Sequence, residues 1–219
     1  MQTITPKKFD IKIIKTSSPV QRPRAWQIES FCLKIFGYID YSLSKALAGS
    51  LDSLLRCEFF LAQTRDDILA AAGCLYCPDN PAVAVLGPVC TGPQYRKRGL
   101  AFDLCGMLLE HLKAQKVQSV YLGVKGNVPA VNLYKKLGFA AYRGIVMRKL
   151  FVSEDDLNKR YSPAQDTIVR KVGWRDFGEV SALFCEPAKI VSFDFCRQIF
   201  SSRYTEIQKF LPVFPALMN

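Results

Sequence analysis

The sequence predicts an α/β fold in which strands and helices alternate. The order of apolar patterns is the first observation, and it gives β-α-α-β-β-β-α-β-α-β over residues 9–151. The second is the strand Val83–Leu86, which runs into Gly87-Pro88; because proline donates no ladder hydrogen bond, a bulge or a splayed edge is expected there. The third is the basic turn Arg96–Gly99, which opens a helix from Leu100 to about Lys116.

The other elements of this domain follow from the same two periodicities. Alternation at residues 9–15 predicts a first strand, and apolar residues at helical spacing from Trp26 to Phe36 predict a helix that Gly37 ends. The patterns then predict, in order, a helix at 42–55, a strand pair at 57–63 and 68–77, a turn at 78–81, a strand at 118–124, a helix at 129–137 and a final strand or strand pair at 139–151.

Residues 151–219 form a smaller C-terminal segment after a first domain of residues 1–150. A polar linker at 153–163 precedes an expected strand at 168–172, a helix at 175–185 and a helical apolar stripe from Phe193 to Leu211. This strand-helix order echoes the start of the chain, so the segment is either an incomplete second repeat or a helical appendage. Its many apolar residues predict that it docks on the first domain or on a second chain, and a homodimer is the simpler closed arrangement.

Length and hydropathy limit the class of protein. A chain of 219 residues with 49% hydrophobic residues fits one domain with an appendage. The N-terminus shows no signal-peptide pattern, and no apolar run reaches the roughly 20 residues that a membrane span needs. We therefore expect a cytoplasmic protein without a membrane segment.

The cysteine pattern predicts free thiols and no metal site. Eight cysteines occur without a secretion signal, which favours reduced thiols. Cys74-x-x-Cys77 lies in an expected strand, where this spacing sends the two side chains to opposite faces. It has no partner pair, and His111 is the single histidine of the sequence.

The positive charge is concentrated in one part of the chain. The net charge is +11, and residues 93–150 hold 11 Lys and Arg against 2 Asp and Glu. A polyanionic small ligand explains this excess. Nucleic acid is the competing partner, but the sequence has no recognisable nucleic-acid module and no basic-aromatic stripe, which argues against it.

Two neighbouring features predict what that anion carries. Unpaired N–H groups at a helix start, a glycine that allows close approach and the cations Arg96, Lys97 and Arg98 favour a phosphate site. A splayed strand just before this turn leaves backbone groups free to pair with the amides of an extended ligand. Pantetheine diphosphate combines both kinds of group.

Two motifs resemble those of the GNAT N-acetyltransferase superfamily. Arg96-x-x-Gly99-x-Ala101 is similar to its acyl-CoA signature, Arg/Gln-x-x-Gly-x-Gly/Ala. The block that runs from Asn127 to Phe139 resembles the family pattern Asn-x-x-Ala-x-x-Leu-Tyr-x-x-x-Gly-Phe. The two motifs occur in the family's order, one helix and one strand apart, and the resemblance is clearest over residues 83–150.

This resemblance implies a fold, a co-substrate and a set of site residues. The fold is a mixed, mostly antiparallel central sheet with helices on both faces, and the co-substrate is acetyl-CoA, with no metal. Tyr134 matches the family's general acid, which protonates the leaving thiolate. The positions implied to contact the cofactor are Val89, Cys90 and Thr91 on the splayed strand, Arg96, Lys97, Arg98, Gly99, Leu100 and Ala101 in the turn, and Asn127 and Tyr134 in the second motif.

The implied activity is transfer of an acetyl group from acetyl-CoA to a primary amine of a small molecule or a peptide, by direct attack in a ternary complex. The alternative is a non-catalytic acyl-CoA-binding or regulatory domain. Some family members place a glutamate on the splayed strand, whereas no Asp or Glu occurs here from Asn80 through Phe102. Four acids lie in elements that usually line the acceptor cleft, namely Glu29, Asp40, Asp52 and Glu58.

Two residues have competing interpretations. Tyr134 is either the general acid, since a phenol is protonated at neutral pH, or an aromatic that covers Ala130 and Leu137. Cys90 is either a backbone contact or a nucleophile. A nucleophilic thiol needs a nearby histidine, and His111 lies about three turns into the following helix. The sequence therefore favours direct attack.

Overall fold

The computed structural model describes residues 10–38, 41–51, 55–124, 126, 128–160, 170 and 173–185. The strands in these ranges are β1 (Lys12–Ser17), β2 (Arg56–Gln63), β3 (Ile68–Tyr76), β4 (Val83–Thr91), β5 (Ser119–Gly123), β6 (Ala140–Arg143) and β7 (Val146–Leu150). The helices are α1 (Arg22–Phe36), α2 (Tyr41–Leu47), α3 (Leu100–Ala114), α4 (Val128–Lys136), α5 (Glu154–Arg160) and α6 (Phe177–Cys185). None of these helices combines the length and the apolar character that crossing a membrane requires.

The seven strands form one sheet in the order β1-β2-β3-β4-β5-β7-β6. All neighbours are antiparallel except β4 and β5, which are parallel and joined through α3. Two core layers cover the two faces: Phe59 and Leu61 face the layer with α1 and α2, whereas Phe60 and Ala62 face the layer with α3. We call these the α1 face and the α3 face. The mixed, mostly antiparallel sheet with helices on both faces is the fold class that the sequence predicts.

Strand β4 continues past Gly87-Pro88, where the sequence predicts a bulge or a splayed edge. Ala72 pairs with Val89 and Cys74 with Leu86, so β4 has one more residue than β3 between these two pairs. This is the bulge that Gly87-Pro88 predicts. On its other side β4 pairs with β5 at Val83, Ala84 and Val85 only, although β4 continues to Thr91. The two parallel strands therefore diverge after Val85.

The C-terminal ends of α1 and α2 can be compared with the ends that the sequence predicts. The helix expected at 42–55 is wrong in length, because α2 ends at Leu47. Gly49 has a left-handed φ of 68°, and the N–H groups of Gly49 and Ser50 bond to the carbonyls of Ala46 and Lys45. This pair of hydrogen bonds ends a helix, and the chain then continues in another direction. Gly37 ends α1 with a left-handed φ of 77°, as expected.

In the described part of residues 151–219, α6 packs on the sheet at β4. Phe177 and Ala182 of α6 are fully buried in the core of the α1 face, and α6 contacts β4. A Cβ built at Gly178 would lie 2.9 Å from the carbonyl oxygen of Val83, so the helix lies directly on the strand. The expected strand at 168–172, apart from Arg170, and the stripe from Phe193 to Leu211 lie outside the described residues.

We expect the change of Gly73 to Ala to destabilise the fold by about 1–3 kcal/mol. Gly73 lies opposite the bulge, and a Cβ there would come within 2.7 Å of the ring of Phe59, which is fully buried and cannot move aside. Gly106→Ala is the matched control, since nothing lies within 4 Å of its added Cβ in α3. It should stabilise by about 0.5–1 kcal/mol. Urea unfolding measures the free energy of unfolding of both variants, and equal changes in the two would contradict this packing.

Asp176 should make the docking of α6 sensitive to acid. Arg170 bonds to its carboxylate at 2.8 and 2.5 Å, and the Gly173 N–H donates to it at 2.7 Å. These contacts, that of Arg170 foremost, hold the pKa of Asp176 below its usual value. The stabilisation is therefore complete above about pH 5 and is lost as the pH falls below about 4.

The matched variant is Asp176→Asn, which should lower the free energy of unfolding by about 1 kcal/mol at pH 7, because Arg170 is half exposed and solvent screens the pair. Unfolding curves at pH 7 and pH 3 measure the difference from the native protein. It should shrink at pH 3, and an equal difference at both values would contradict the role of this carboxylate.

Candidate active site

The turn between β4 and α3 combines an uncapped helix start with three cations. Gly99 has a left-handed φ of 82° and precedes the first residue of α3, and no side chain caps the helix there. The N–H groups of the first turn have no acceptor within the helix, so they are available to a ligand. Arg96, Lys97 and Arg98 are all exposed at this position. Asp103 is the one acid in the first turn of α3, and three cations outnumber it.

The backbone of β4 supplies the second part of the site. Val89, Cys90 and Thr91 pair with Ala72, Ala71 and Ala70 of β3. Their opposite edge lies beyond the last described pair with β5, which joins Val85 to Tyr121. The divergence of the two strands thus leaves one row of backbone groups facing the gap, where an extended ligand with amides can add to the sheet edge.

Tyr134 is held rigidly by the end of α4. Gly138 has a left-handed φ of 85° and donates to the carbonyl of Lys135, while the Phe139 N–H donates to the carbonyl of Tyr134. This is the glycine-ended helix motif in which the residue after the glycine packs on the helix. The rings of Tyr134 and Phe139 accordingly meet edge to face, with centroids 5.7 Å apart. Lys149 of β7 also donates to the Leu137 carbonyl at 2.8 Å.

The surroundings of Tyr134 keep its hydroxyl protonated. Its side chain is buried, and this burial raises its pKa far above the usual value, with smaller contributions from Cys105 and Cys90. Val89, Leu100 and Tyr134 belong to the same apolar cluster on the α3 face. The open strand, the start of α3 and the tyrosine thus lie on the same face of the sheet. Asn127 lies outside the described residues.

Glu58, one of the four acids in elements that usually line the acceptor cleft, is engaged by side chains of the chain itself. Its carboxylate is buried on the α3 face, 2.6 Å from Nε2 of His111 and 3.3 Å from Nζ of Lys15. The hydroxyls of Ser17 and Tyr76 donate to its other oxygen at 3.1 and 3.3 Å. We call these five residues the Glu58 cluster. It joins β1, β2, β3 and α3, and its carboxylate is engaged with the chain's own groups.

The other acids expected near the cleft give no clear base. Glu29 is partly buried on α1, whereas Asp40 and Asp52 lie outside the described residues. Sequence reasoning left the partners of His111 open, because they come from strands far away in the chain. The residues next to His111 in the sequence give no indication that a buried carboxylate from another element will contact its ring.

Cys90 is a poor nucleophile in this environment. Its sulfur lies 3.9 Å from that of Cys32, and this contact, followed by burial, raises the pKa of Cys90 strongly. A thiol attacks as the thiolate, so a raised pKa works against attack. The ring of His111 contacts the carboxylate of Glu58 instead. Within the described ranges, no three His, Cys, Asp or Glu side chains group in a way that could hold a metal ion.

Comparisons with solved structures show the same fold in several acetyltransferases. A putative GNAT acetyltransferase from Desulfovibrio desulfuricans has 15% identity and a TM-score of 0.51, with 64% of this chain and 98% of that chain covered. A GNAT acetyltransferase from Staphylococcus aureus Mu50 has 19% identity and a TM-score of 0.51, with coverages of 65% and 99%. At these identities the similarity concerns the fold.

A third structure, Arabidopsis thaliana NAA60 in complex with a bisubstrate analogue, has 14% identity and a TM-score of 0.50, with 64% of this chain and all of that chain covered. No curated protein matches the sequence.

The family assignment depends on the sequence. The model of the acetyltransferase (GNAT) family matches residues 23–139, which include all of α1 except its first residue, the open strand, the turn and Tyr134. This match spans more than half of the chain, and acetyl-CoA is the co-substrate of the family. The protein therefore belongs to the GNAT acetyltransferase family.

Proposed function

We propose that the protein is an N-acetyltransferase that transfers an acetyl group from acetyl-CoA to a primary amine of a small molecule or a peptide. One observation carries the proposal: Val89 on the open strand, Leu100 at the uncapped start of α3 and the buried Tyr134 belong to one apolar cluster. Acetyl-CoA supplies the activated acetyl thioester when it is bound. The remaining steps are performed by this chain's own residues.

The binding role falls to backbone groups and cations. Residues Val89–Thr91 would pair with the pantetheine amides, and the turn Arg96–Ala101 would hold the diphosphate through its N–H groups and side chains. A residue with a side chain at position 99 would be strained, because the φ of Gly99 is left-handed. Asn127 remains a proposed contact on the strength of the family motif.

The proton for the leaving sulfur would come from the hydroxyl of Tyr134. A departing thiolate has a conjugate acid of pKa about 8.5, well below that of a phenol in water. Burial makes the tyrosine a weaker acid still, but it also ensures that the proton is present at every physiological pH. The cluster around the ring excludes water from the apolar side of the site.

Direct attack by the amine in a ternary complex requires no nucleophile from the protein. The protonated state of Cys90 supports this route over a covalent one. No carboxylate from the chain occupies the splayed strand, and an amine with a pKa near 8 is already partly neutral at working pH. Water in the cleft would then accept the amine proton.

The missing carboxylate also favours a second function, a non-catalytic acyl-CoA-binding domain. The two functions differ in turnover. Amines are screened with acetyl-CoA while free thiol is followed, and release of CoA with any amine excludes the non-catalytic role.

The change of Gly99 to Glu should weaken cofactor binding. It places a negative charge and a bulky side chain at the start of α3, where the diphosphate is expected, and we predict that acetyl-CoA affinity falls at least about tenfold, or about 1.4 kcal/mol. Calorimetry measures the affinity. Gly99→Ala is the matched control for backbone strain, since it adds no charge, and its loss of acetyl-CoA affinity should be smaller. Unchanged affinity in the Glu variant would exclude this site.

The change of Tyr134 to Phe should slow catalysis without weakening the binding of acetyl-CoA. It keeps the ring that packs on Phe139 and removes the proton, so we expect kcat to fall about 10²-fold. Tyr76→Phe is the control, because Tyr76 is equally buried but bonds to Glu58. It should lose stability and keep kcat. Full activity of the Tyr134 variant would reduce this tyrosine to a packing residue.

A further inference from the structure

Two buried thiols from distant parts of the chain touch beside the open strand. Cys32 lies on α1 and Cys90 on β4, and their sulfurs are 3.9 Å apart although 58 positions separate them in the sequence. Each residue is only 5% exposed. No part of the proposed acetyl transfer uses either sulfur, so this pair is free for another role.

The pair connects the two elements on which the site depends. Cys90 lies between Val89 and Thr91, which are partly exposed along the edge that would pair with the cofactor. Cys32 projects from the buried side of α1 together with Ala25 and Ile28. α1 packs against β3 and β4 on the α1 face, and any bond between the two sulfurs would couple this helix to the open strand.

We propose that Cys32 and Cys90 form a reversible disulfide that fixes α1 to β4 and switches off the protein's acetyltransferase activity. The effect on activity depends on the proposed function, whereas the disulfide itself does not. A disulfide has an S–S length of about 2.05 Å, so the sulfurs must approach by roughly 1.9 Å. β4 is held by its pairing with β3, and α1 is therefore the element that has to shift.

Hydrogen peroxide is the oxidant in the proposed reaction. One thiol sulfur attacks peroxide, the O–O bond breaks, and a sulfenic acid and one water form. The second thiol sulfur then attacks the first, the S–S bond forms, and the hydroxyl leaves as a second water. The two sulfurs together lose two electrons and two protons, and peroxide takes them up. A dithiol reductant reverses the bond by exchange.

Because both thiols are buried and protonated, we expect their oxidation to be slow and to depend on whether the cofactor is bound. Thiols react as thiolates, so burial slows their oxidation, and we expect peroxide to reach Cys90 from the gap beside β4, where the pairing with β5 has ended. A cofactor that pairs with Val89–Thr91 would close that gap. The disulfide should therefore form in the unliganded protein and should be suppressed by saturating acetyl-CoA.

The first test maps the bond. The full chain is treated with hydrogen peroxide, blocked with N-ethylmaleimide, digested without reductant and analysed by mass spectrometry. We expect a linked peptide pair that contains Cys32 and Cys90, a higher melting temperature and full reversal by dithiothreitol. Oxidation of other cysteines with these two still free, or their conversion to sulfinic acids without a link, would overturn the proposal.

Variants separate the bond from general oxidation. Cys32→Ser should lose the linked peptide and the rise in melting temperature, while Cys77→Ser, which alters a buried cysteine outside the pair, should keep both. If Cys32→Ser is poorly folded, Cys32→Ala replaces it, since alanine leaves no polar group in the core. A rise in melting temperature that persists in both Cys32 variants would refute the assignment.

Activity and protection complete the test. We expect the oxidised protein to lose at least about 90% of its acetyl transfer and to recover it on reduction, whereas oxidised Cys32→Ser keeps its own rate. A linked protein with unchanged turnover would refute the switch. If the link forms equally fast with acetyl-CoA present, the cofactor placement fails and the disulfide stands; if no amine is acetylated at all, the peptide map and the melting temperature still decide the disulfide.

Discussion

The divergence of β4 from β5 is the constraint on which the rest of the site depends. Two parallel strands that stayed paired would satisfy each other's backbone groups and leave nothing for a ligand. Here the bulge opposite Gly73 adds one residue to β4, and the pairing with β5 stops at Val85 while β4 continues along β3. The sheet therefore carries an internal edge in addition to its outer edges at β1 and β6.

The strand, the turn and the tyrosine could be predicted because their signals are local. A proline within an apolar strand, a glycine before a helix and a glycine-phenylalanine pair after one each determine the backbone within a few residues. Their positions in the structure follow the sequence closely. The length of α2 was wrong because apolar spacing continues past Gly49, although the glycine already ends the helix.

The features that sequence reasoning missed all join distant segments. Glu58 looked like a candidate acid for the cleft, and only the registers of β1, β2 and β3 show that it faces Lys15 and His111. Cys32 and Cys90 gave no pattern, since α1 and β4 approach each other only after the sheet forms. Periodicity assigns a face to a side chain and leaves its partner undetermined.

The Glu58 cluster has a consequence for how this sequence can change. Its members come from four elements, and each of the other four contacts Glu58, so the loss of this carboxylate removes their shared partner. Replacing a buried ionic group and its partners together by apolar residues of similar volume is often neutral. Related sequences that lack Glu58 should therefore lack several of the others, and the cluster should be inherited or lost as a block.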